Sequence, residues 1–233
     1  MGVVLITGAT SSIGRSIALE FAKKKYDIII HYNKNYNEAE EIKNEIEKIG
    51  VNAFIYKADI SNETEVNNMF AFISSKYLKI DILVNNAALS IDDNIISISK
   101  NDFMKVLEVN IFGTFLVTRC ALNYMNNGII VNISSTDSID TYNEYNVNYS
   151  VSKASINLLT KIFASFYPNI KVLGLMPLWV NTKSVREMNP EFLEKELLRT
   201  GQTRLLEPIE VASKVIDLVE SNTLSGSIIR MEE

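Results

Sequence analysis

Three short stretches, Val3-Val4-Leu5-Ile6, Asp27-Ile28-Ile29-Ile30 and Ile82-Leu83-Val84, are apolar without the every-second-residue alternation of a half-exposed strand. Strands of that kind are buried on both faces, which requires helices on both sides of a mostly parallel sheet. The rest of the chain fits the same requirement. Strands are expected at 3–6, 28–32, 53–57, 81–85, 128–133, 170–175 and 227–231. Ile13, Ile17, Ala18 and Phe21 mark one face of a first helix, and Ile42, Ile46 and Ile49 mark a second that Gly50 ends. Further helices are expected at 62–77, 100–125, 148–166, 190–199 and 208–221. Strand–helix alternation with right-handed crossovers gives an α/β, doubly wound, mostly parallel seven-stranded sheet. All 233 residues fit one such domain.

In an open sheet of this class, ligands bind beyond the carboxyl ends of the strands. Residues just after Ile6, Ile30, Tyr56, Val84, Ile133 and Met176 are therefore the first candidates for function. A net charge of −5 argues against a nucleic-acid partner, whose phosphates demand a basic face. The single cysteine, Cys120, permits no intramolecular disulfide, suits a reducing cytoplasmic compartment, and reads as a small buried hydrophobe. Nothing suggests a membrane partner. The chain opens on a strand where a signal peptide would stand, and position 6 lacks the hydroxyl of a myristoylation signal. No apolar run approaches the roughly 20 residues of a bilayer span. No His, Cys, Asp and Glu grouping has metal-ligand spacing, so no catalytic metal is expected.

After the first strand comes Thr7-Gly8-Ala9-Thr10-Ser11-Ser12-Ile13-Gly14. Gly8 permits a tight turn and Gly14 close packing of helix on strand, while the helix amino terminus offers N–H groups to a pyrophosphate. Thr10, Ser11 and Ser12 add hydroxyls. A plain strand-to-helix turn with Ser11 or Ser12 as N-cap fits equally well. Further on, Tyr149 and Lys153 in Tyr149-Ser150-Val151-Ser152-Lys153 are i and i+4 on a helix, projecting from one face. A nearby ammonium stabilises a phenolate and draws the phenol toward the working range of an acid/base catalyst. The same spacing recurs at Tyr167 and Lys171, where Pro168 precludes helical pairing. Val131-Asn132-Ile133-Ser134-Ser135 ends a strand 14 residues before Tyr149, bringing hydroxyls to the same sheet edge. Asn110 sits mid-helix in Glu108-Val109-Asn110-Ile111-Phe112-Gly113, where a structural hydrogen bond in the core is a serious rival to a functional role.

In this order the signs resemble the short-chain dehydrogenase/reductase family over essentially the whole chain: TGATSSIG, Asp59, NNAA at 85–88, Asn110, Ser134-Ser135, YSVSK, and Pro177 followed by Val180-Asn181-Thr182. The closest similarity is to 3-oxoacyl-carrier-protein reductase-like members. The resemblance implies a Rossmann fold and an NAD(P)-dependent oxidoreductase that passes hydride to or from a carbonyl carbon. Tyr149 would be the general acid/base. Lys153 would bind the nicotinamide ribose and lower the phenol's pKa, and Ser135 would orient the carbonyl. Asn110 would hold a water linking Lys153 to solvent. Asp59, with Ile60, would meet the adenine. Asn86, Ala87 and Ala88 would line the dinucleotide cleft, and Pro177, Val180 and Thr182 would contact the carboxamide side. The serine-to-tyrosine spacing exceeds the family's by one residue, so Ser135 is favoured and Thr136 stays open.

Tyr32, Asn33 and Lys34 follow the second strand, where a carboxylate would select NAD. Tyr32 takes that position and Lys34 suits a 2′-phosphate, so NADPH is favoured and NADH is the alternative. His31, the only histidine, reads as neither catalyst nor ligand. Three family glycines are replaced, by Ser12, Ala88 and Leu178, and the Asp-Gly-Gly tail by Arg230-Met231-Glu232-Glu233. A side chain at positive φ costs on the order of 1 kcal/mol or more. Two readings follow: a working carbonyl reductase, or a catalytically weak dinucleotide-binding sensor or scaffold. The expected substrate is a small ketone or an acyl thioester. Trp179, Tyr142 and Tyr145 are expected near it, and Met188, Phe192, Leu193, Leu197 and Leu198 read as an apolar lid or as an ordinary amphipathic helix. The resemblance also implies a homo-oligomer, a dimer or tetramer, through the helices at 100–125 and 148–166.

Overall fold

The computed structural model describes residues 2–233. Seven strands, β1 (Val3–Ile6), β2 (Asp27–Tyr32), β3 (Ala53–Lys57), β4 (Ile82–Asn85), β5 (Gly128–Ile133), β6 (Ile170–Met176) and β7 (Ile228–Arg230), form one sheet in the order β3-β2-β1-β4-β5-β6-β7. Every pairing is parallel, so the sheet is wholly rather than mostly parallel. Between the strands run α1 (Ser12–Lys23), α2 (Tyr36–Ile49), α3 (Glu63–Lys76), α4 (Lys100–Leu107), α5 (Thr114–Ala121), α6 (Val147–Phe166), α7 (Lys183–Arg186), α8 (Pro190–Thr200) and α9 (Pro208–Glu220).

The pleat of β1 shows why its run is apolar throughout. Val4 and Ile6 join a core with Ile17, Phe21, Ile42, Ile46 and Val215 on one face, while Val3 and Leu5 join Val66, Met69, Phe70, Leu116 and Phe163 on the other. Strand order reverses between β1 and β4, opening a crevice at their carboxyl ends where the first loop, the β4 loop and the β5 loop meet.

The single helix expected at 100–125 is not regular. Glu108–Gly113 forms a π turn between α4 and α5, and Leu122–Tyr124 closes the stretch as a 3₁₀ turn. Apolar residues continue straight through, so periodicity conceals the extra residue. Gly113, the last residue of the turn, packs closely on Ile60: a Cβ there would lie 2.7 Å from Ile60 Cγ1. By length and mean hydropathy alone Lys100–Tyr124 is long and apolar enough to cross a membrane, but half of its most apolar window is buried in the fold, as in the core helix of a folded domain. A further 3₁₀ turn, Thr136–Ser138, and the short α7 were not anticipated.

Helix α1 ends with Lys25 in the left-handed region, at φ +69°. Lys25→Gly is expected to raise the unfolding free energy by about 0.5–1 kcal/mol, read as a higher urea midpoint at unchanged m.

Candidate active site

The first loop is held from several sides. Gly8 has φ +61°, and a Cβ there would lie 2.8 Å from the Ala87 Cα; a Cβ on Gly14 would lie 2.8 Å from the Ala9 Cα. The two retained glycines are thus the positions where no side chain fits. Ser11 is the N-cap, its hydroxyl accepting from Gly14 N at 3.0 Å. The N–H groups of Ser12 and Ile13 have no acceptor among the described residues and stand free at the amino terminus of α1, as an anion cradle requires. Asn86 stitches this loop to β4, its amide donating to Thr7 O and Gly8 O at 2.9 Å and to Ser11 Oγ at 3.2 Å. Ala87 N donates to Thr7 Oγ1 at 3.0 Å.

None of the three replaced glycines is strained, because among the described residues the only non-glycine at positive φ is Lys25. Ser12 is the first residue of α1, and its hydroxyl accepts from Lys183 N at a long 3.4 Å. Ala88 is exposed. Leu178 packs against the core and, with Arg230, Met231, Glu232 and Glu233, lines one cavity of about 460 Å³, so two departures from the family pattern meet in space. Ser12→Gly is therefore expected to leave dinucleotide affinity within about threefold by calorimetric titration, since no strained dihedral is relieved.

At the end of β5 the structure separates three hydroxyls. Ser134 is buried and donates to Lys153 O at 3.1 Å. Thr136 is buried against Thr141, with Oγ1 atoms 2.8 Å apart. Ser135 is half-buried at the crevice, and its Oγ accepts only the Asp137 N–H, at 3.1 Å, leaving its own hydrogen free.

Helix α6 begins beside it. Lys153 is buried, donates from Nζ to Ile133 O at 2.8 Å, and stands 5.4 Å from the Tyr149 ring centroid, so i and i+4 do share a face. The Tyr149 hydroxyl makes no hydrogen bond among the described residues. The electrostatics differ from the sequence expectation. Burial, then the carboxylates of Asp137 and Asp92, push the Tyr149 phenol above its ordinary value. Burial brings Lys153 down to about 8, with Asp137 opposing. The ammonium lies over the ring face and is bound to a carbonyl instead of facing the hydroxyl, so burial and the two carboxylates dominate the phenol in the free protein.

Asn110, at the centre of the π turn, is buried with its amide committed: Oδ1 accepts from Leu89 N at 2.7 Å, and Nδ2 donates to Leu89 O and Ser152 Oγ, both at 2.9 Å. It ties the loop after β4 to α6. That is the structural bond named as its rival role.

A model of the short chain dehydrogenase family matches residues 2–192. The chain belongs to the short-chain dehydrogenases. Its fold and oxidoreductase family follow from that. It is 30% identical to glucose 1-dehydrogenase 2 of Bacillus subtilis, over 96% of this chain and 90% of that protein. It is likewise 30% identical to the 3-oxoacyl-[acyl-carrier-protein] reductase FabG of Thermotoga maritima, over 99% and 96%. A short chain dehydrogenase from Burkholderia cenocepacia, solved in complex with NADP, has the same fold, with a TM-score of 0.92 at 23% identity over 99% of this chain and 96% of that one.

On the β2–β3 side of the crevice, Asp59 is engaged locally, Oδ1 accepting from Ser61 N at 2.9 Å and Ser61 Oγ at 2.6 Å, while Ile60 is buried against Gly113. Tyr32 is buried, edge-on to Tyr36 at 6.2 Å. Asn33 and Lys34 are exposed, and Lys34 pairs with no acid among the described residues. On the opposite side, Pro177 O accepts from Thr136 N at 3.1 Å, Val180 is buried and bridges to Leu206, and the Thr182 hydroxyl caps α7. These residues stand at or beyond the carboxyl ends of β2, β3 and β6.

The segment that reads as an apolar lid or as an ordinary amphipathic helix packs on the loop before α6. Arg199 donates to Thr141 O at 2.6 Å, the buried Glu196 accepts from Arg199 and from Asn143, and Phe192 meets Tyr145 edge-on at 6.1 Å. Leu198 faces solvent, so it forms no part of an apolar lining. Sequence reasoning missed Ser152, Asn148, whose Nδ2 holds Ile91 O at 3.0 Å, and Gln202, which clamps both backbone polar groups of Trp179. Asn148 and Ser152 share the buried side of α6 with Ser150, Lys153 and Thr160, a run of polar residues that is itself a signal; Gln202 carries none.

Proposed function

We propose that this protein is an NADPH-dependent carbonyl reductase acting on a small ketone or acyl thioester, working in the cytoplasm. The observation that carries the reading is the unpartnered Tyr149 hydroxyl at the crevice, with buried Lys153 beneath its ring and the free Ser135 hydroxyl on the adjoining strand end. The residues present suit a dinucleotide: Gly8 and Gly14 leave room where a Cβ would collide, and Ser12 and Ile13 offer unpaired N–H groups. When bound, the nicotinamide supplies the hydride. Ser135 donates to the carbonyl oxygen and fixes its position, Tyr149 gives that oxygen its proton, and Lys153 supplies positive charge beneath the forming phenolate. A phenol held above its ordinary value stays protonated at neutral pH, which suits a proton donor and hence the reductive direction. Asn110 serves by fixing the Leu89 loop, both polar atoms of its amide being committed to Leu89 and Ser152.

The rim favours a neutral substrate. The Asp137 and Asp92 carboxylates act on the Tyr149 phenol, and Arg199 and Arg230 are paired with Glu196 and Asp140. A ketone tethered to an acidic carrier would meet like charge there. The sensor or scaffold reading rested on strain at the replaced glycines, and the dihedrals at Ser12, Ala88 and Leu178 give it no support. Phe112, Leu158, Ile162 and Phe166, exposed on the π turn and α6, suit burial between copies of the chain in a dimer or tetramer.

One experiment tests the cofactor reading. Titration with NADPH and NADH is expected to give micromolar affinity for NADPH and a preference that Lys34→Ala reduces about fivefold, as loss of one exposed phosphate contact should. Failure of either dinucleotide to bind at millimolar concentration would overturn the function, and an unchanged ratio would remove Lys34 from the argument.

A further inference from the structure

The only histidine of the chain, His31, occupies the penultimate position of β2 and is 2% exposed. Its Nδ1 accepts from Gly8 N at 3.1 Å, and its Nε2 lies 3.0 Å from Ala58 O. Its own carbonyl accepts from Ala9 N at 3.0 Å. One residue therefore holds two consecutive N–H groups of the first loop and the last residue before Asp59 in the loop after β3. The partners dictate the chemistry of the ring. A backbone N–H only donates and a carbonyl only accepts, so Nδ1 must carry the lone pair and Nε2 the hydrogen. The other neutral tautomer loses both bonds, and an imidazolium sets N–H against N–H. Burial holds the ring neutral, bringing its pKa down to about 4.

We infer that His31 is a positioning residue for dinucleotide binding, its Nε2–H imidazole fixing the Gly8 loop and the Ala58-Asp59 loop in one register. Gly8 at φ +61° is wedged against Ala87, so its N–H has no other acceptor to turn to without displacing the loop. The inference rests on the reading that this crevice takes NADPH, and it adds a requirement that reading does not contain. It extends the sequence-based expectation: His31 is neither catalyst nor ligand, yet it sets the geometry of the loop that meets the cofactor.

Because the chain has one histidine, selective ¹⁵N-histidine labelling gives a single imidazole without assignment. In the free protein at pH 7 the spectrum is expected to show the Nε2–H tautomer, and NADPH is expected to shift it. His31→Asn retains an acceptor for Gly8 N–H and is expected to bind NADPH within about threefold of wild type, whereas His31→Phe, which leaves that N–H unpaired, is expected to bind about tenfold more weakly. Both should keep kcat at saturating NADPH within about twofold, a split that general loss of folded protein would not give. An Nδ1–H tautomer, an imidazolium at pH 7, or wild-type affinity in His31→Phe would overturn the inference while leaving the function standing. The expected tautomer in a protein that does not bind NADPH would overturn both the function and the positioning role.

Discussion

Tyr149→Phe is expected to lower carbonyl reduction by about 10³-fold, within the range by which a positioned acid accelerates proton transfer. NADPH affinity is expected to stay within about twofold, because the hydroxyl bonds to no group that shapes the first loop. For the same reason the thermal midpoint should move by less than about 2 °C. The comparison to make is single-turnover reduction against a fluorescence titration of NADPH on the same preparation. Equal loss in both would mean that Tyr149 holds the cofactor in place of donating a proton. Retained turnover would move the acid role elsewhere, and the free hydroxyl of Ser135 would be the next group to remove.

Lys153→Met is expected to abolish turnover and yet stabilise the fold. The drop from 10.5 to about 8 records what burying the ammonium costs, about 3 kcal/mol at neutral pH. The bond to Ile133 O returns about 1 kcal/mol of this, leaving a net gain of ~2 kcal/mol for methionine, about 4–8 °C in Tm for a domain of this size. The sign follows from proton binding. Between about pH 8 and 10.5 the unfolded chain binds the proton and the folded one does not, so wild-type stability rises with pH across that window. The advantage of methionine is therefore full below about pH 8 and gone above 10.5. In wild type, kcat/KM for reduction should fall as pH rises through about 8, when the lysine loses its charge. Calorimetry at pH 7 and pH 10 checks the first statement, and a pH–rate profile checks the second. A less stable Lys153→Met at pH 7 would mean the Ile133 bond outweighs the desolvation.

Much of the fold was legible because its information is local. An unalternating Ile28-Ile29-Ile30 has one explanation, burial on both faces, and it became the neighbour of β1. The glycines at 8 and 14 were legible because turn and close packing each leave a compositional mark. The i and i+4 placement of Tyr149 and Lys153 was legible too, but the field around them was not. Asp92 and Asp137 reach the phenol from two different loops, and no spacing on α6 announces them. The contacts of His31 were hidden for a similar reason: Gly8 lies 23 residues from it and Ala58 27, and only the alignment of β1, β2 and β3 brings all three together. Glu196 sits in a charge-rich helical stretch, where nothing separates a buried carboxylate from its solvated neighbours.

The π turn at Glu108–Gly113 gives one helical rod two rotational settings. Each residue of an α-helix advances the azimuth by about 100°, so the surplus residue turns everything beyond it by that angle relative to a regular helix. Before the turn, α4 lies against α6; beyond it, α5 presents Leu116 and Val117 to the sheet. Excising one residue would straighten the rod and leave one of these faces misdirected by about a quarter turn. The irregularity acts as a phase adjuster, letting a single rod serve the reactive edge at one end and the hydrophobic interior at the other.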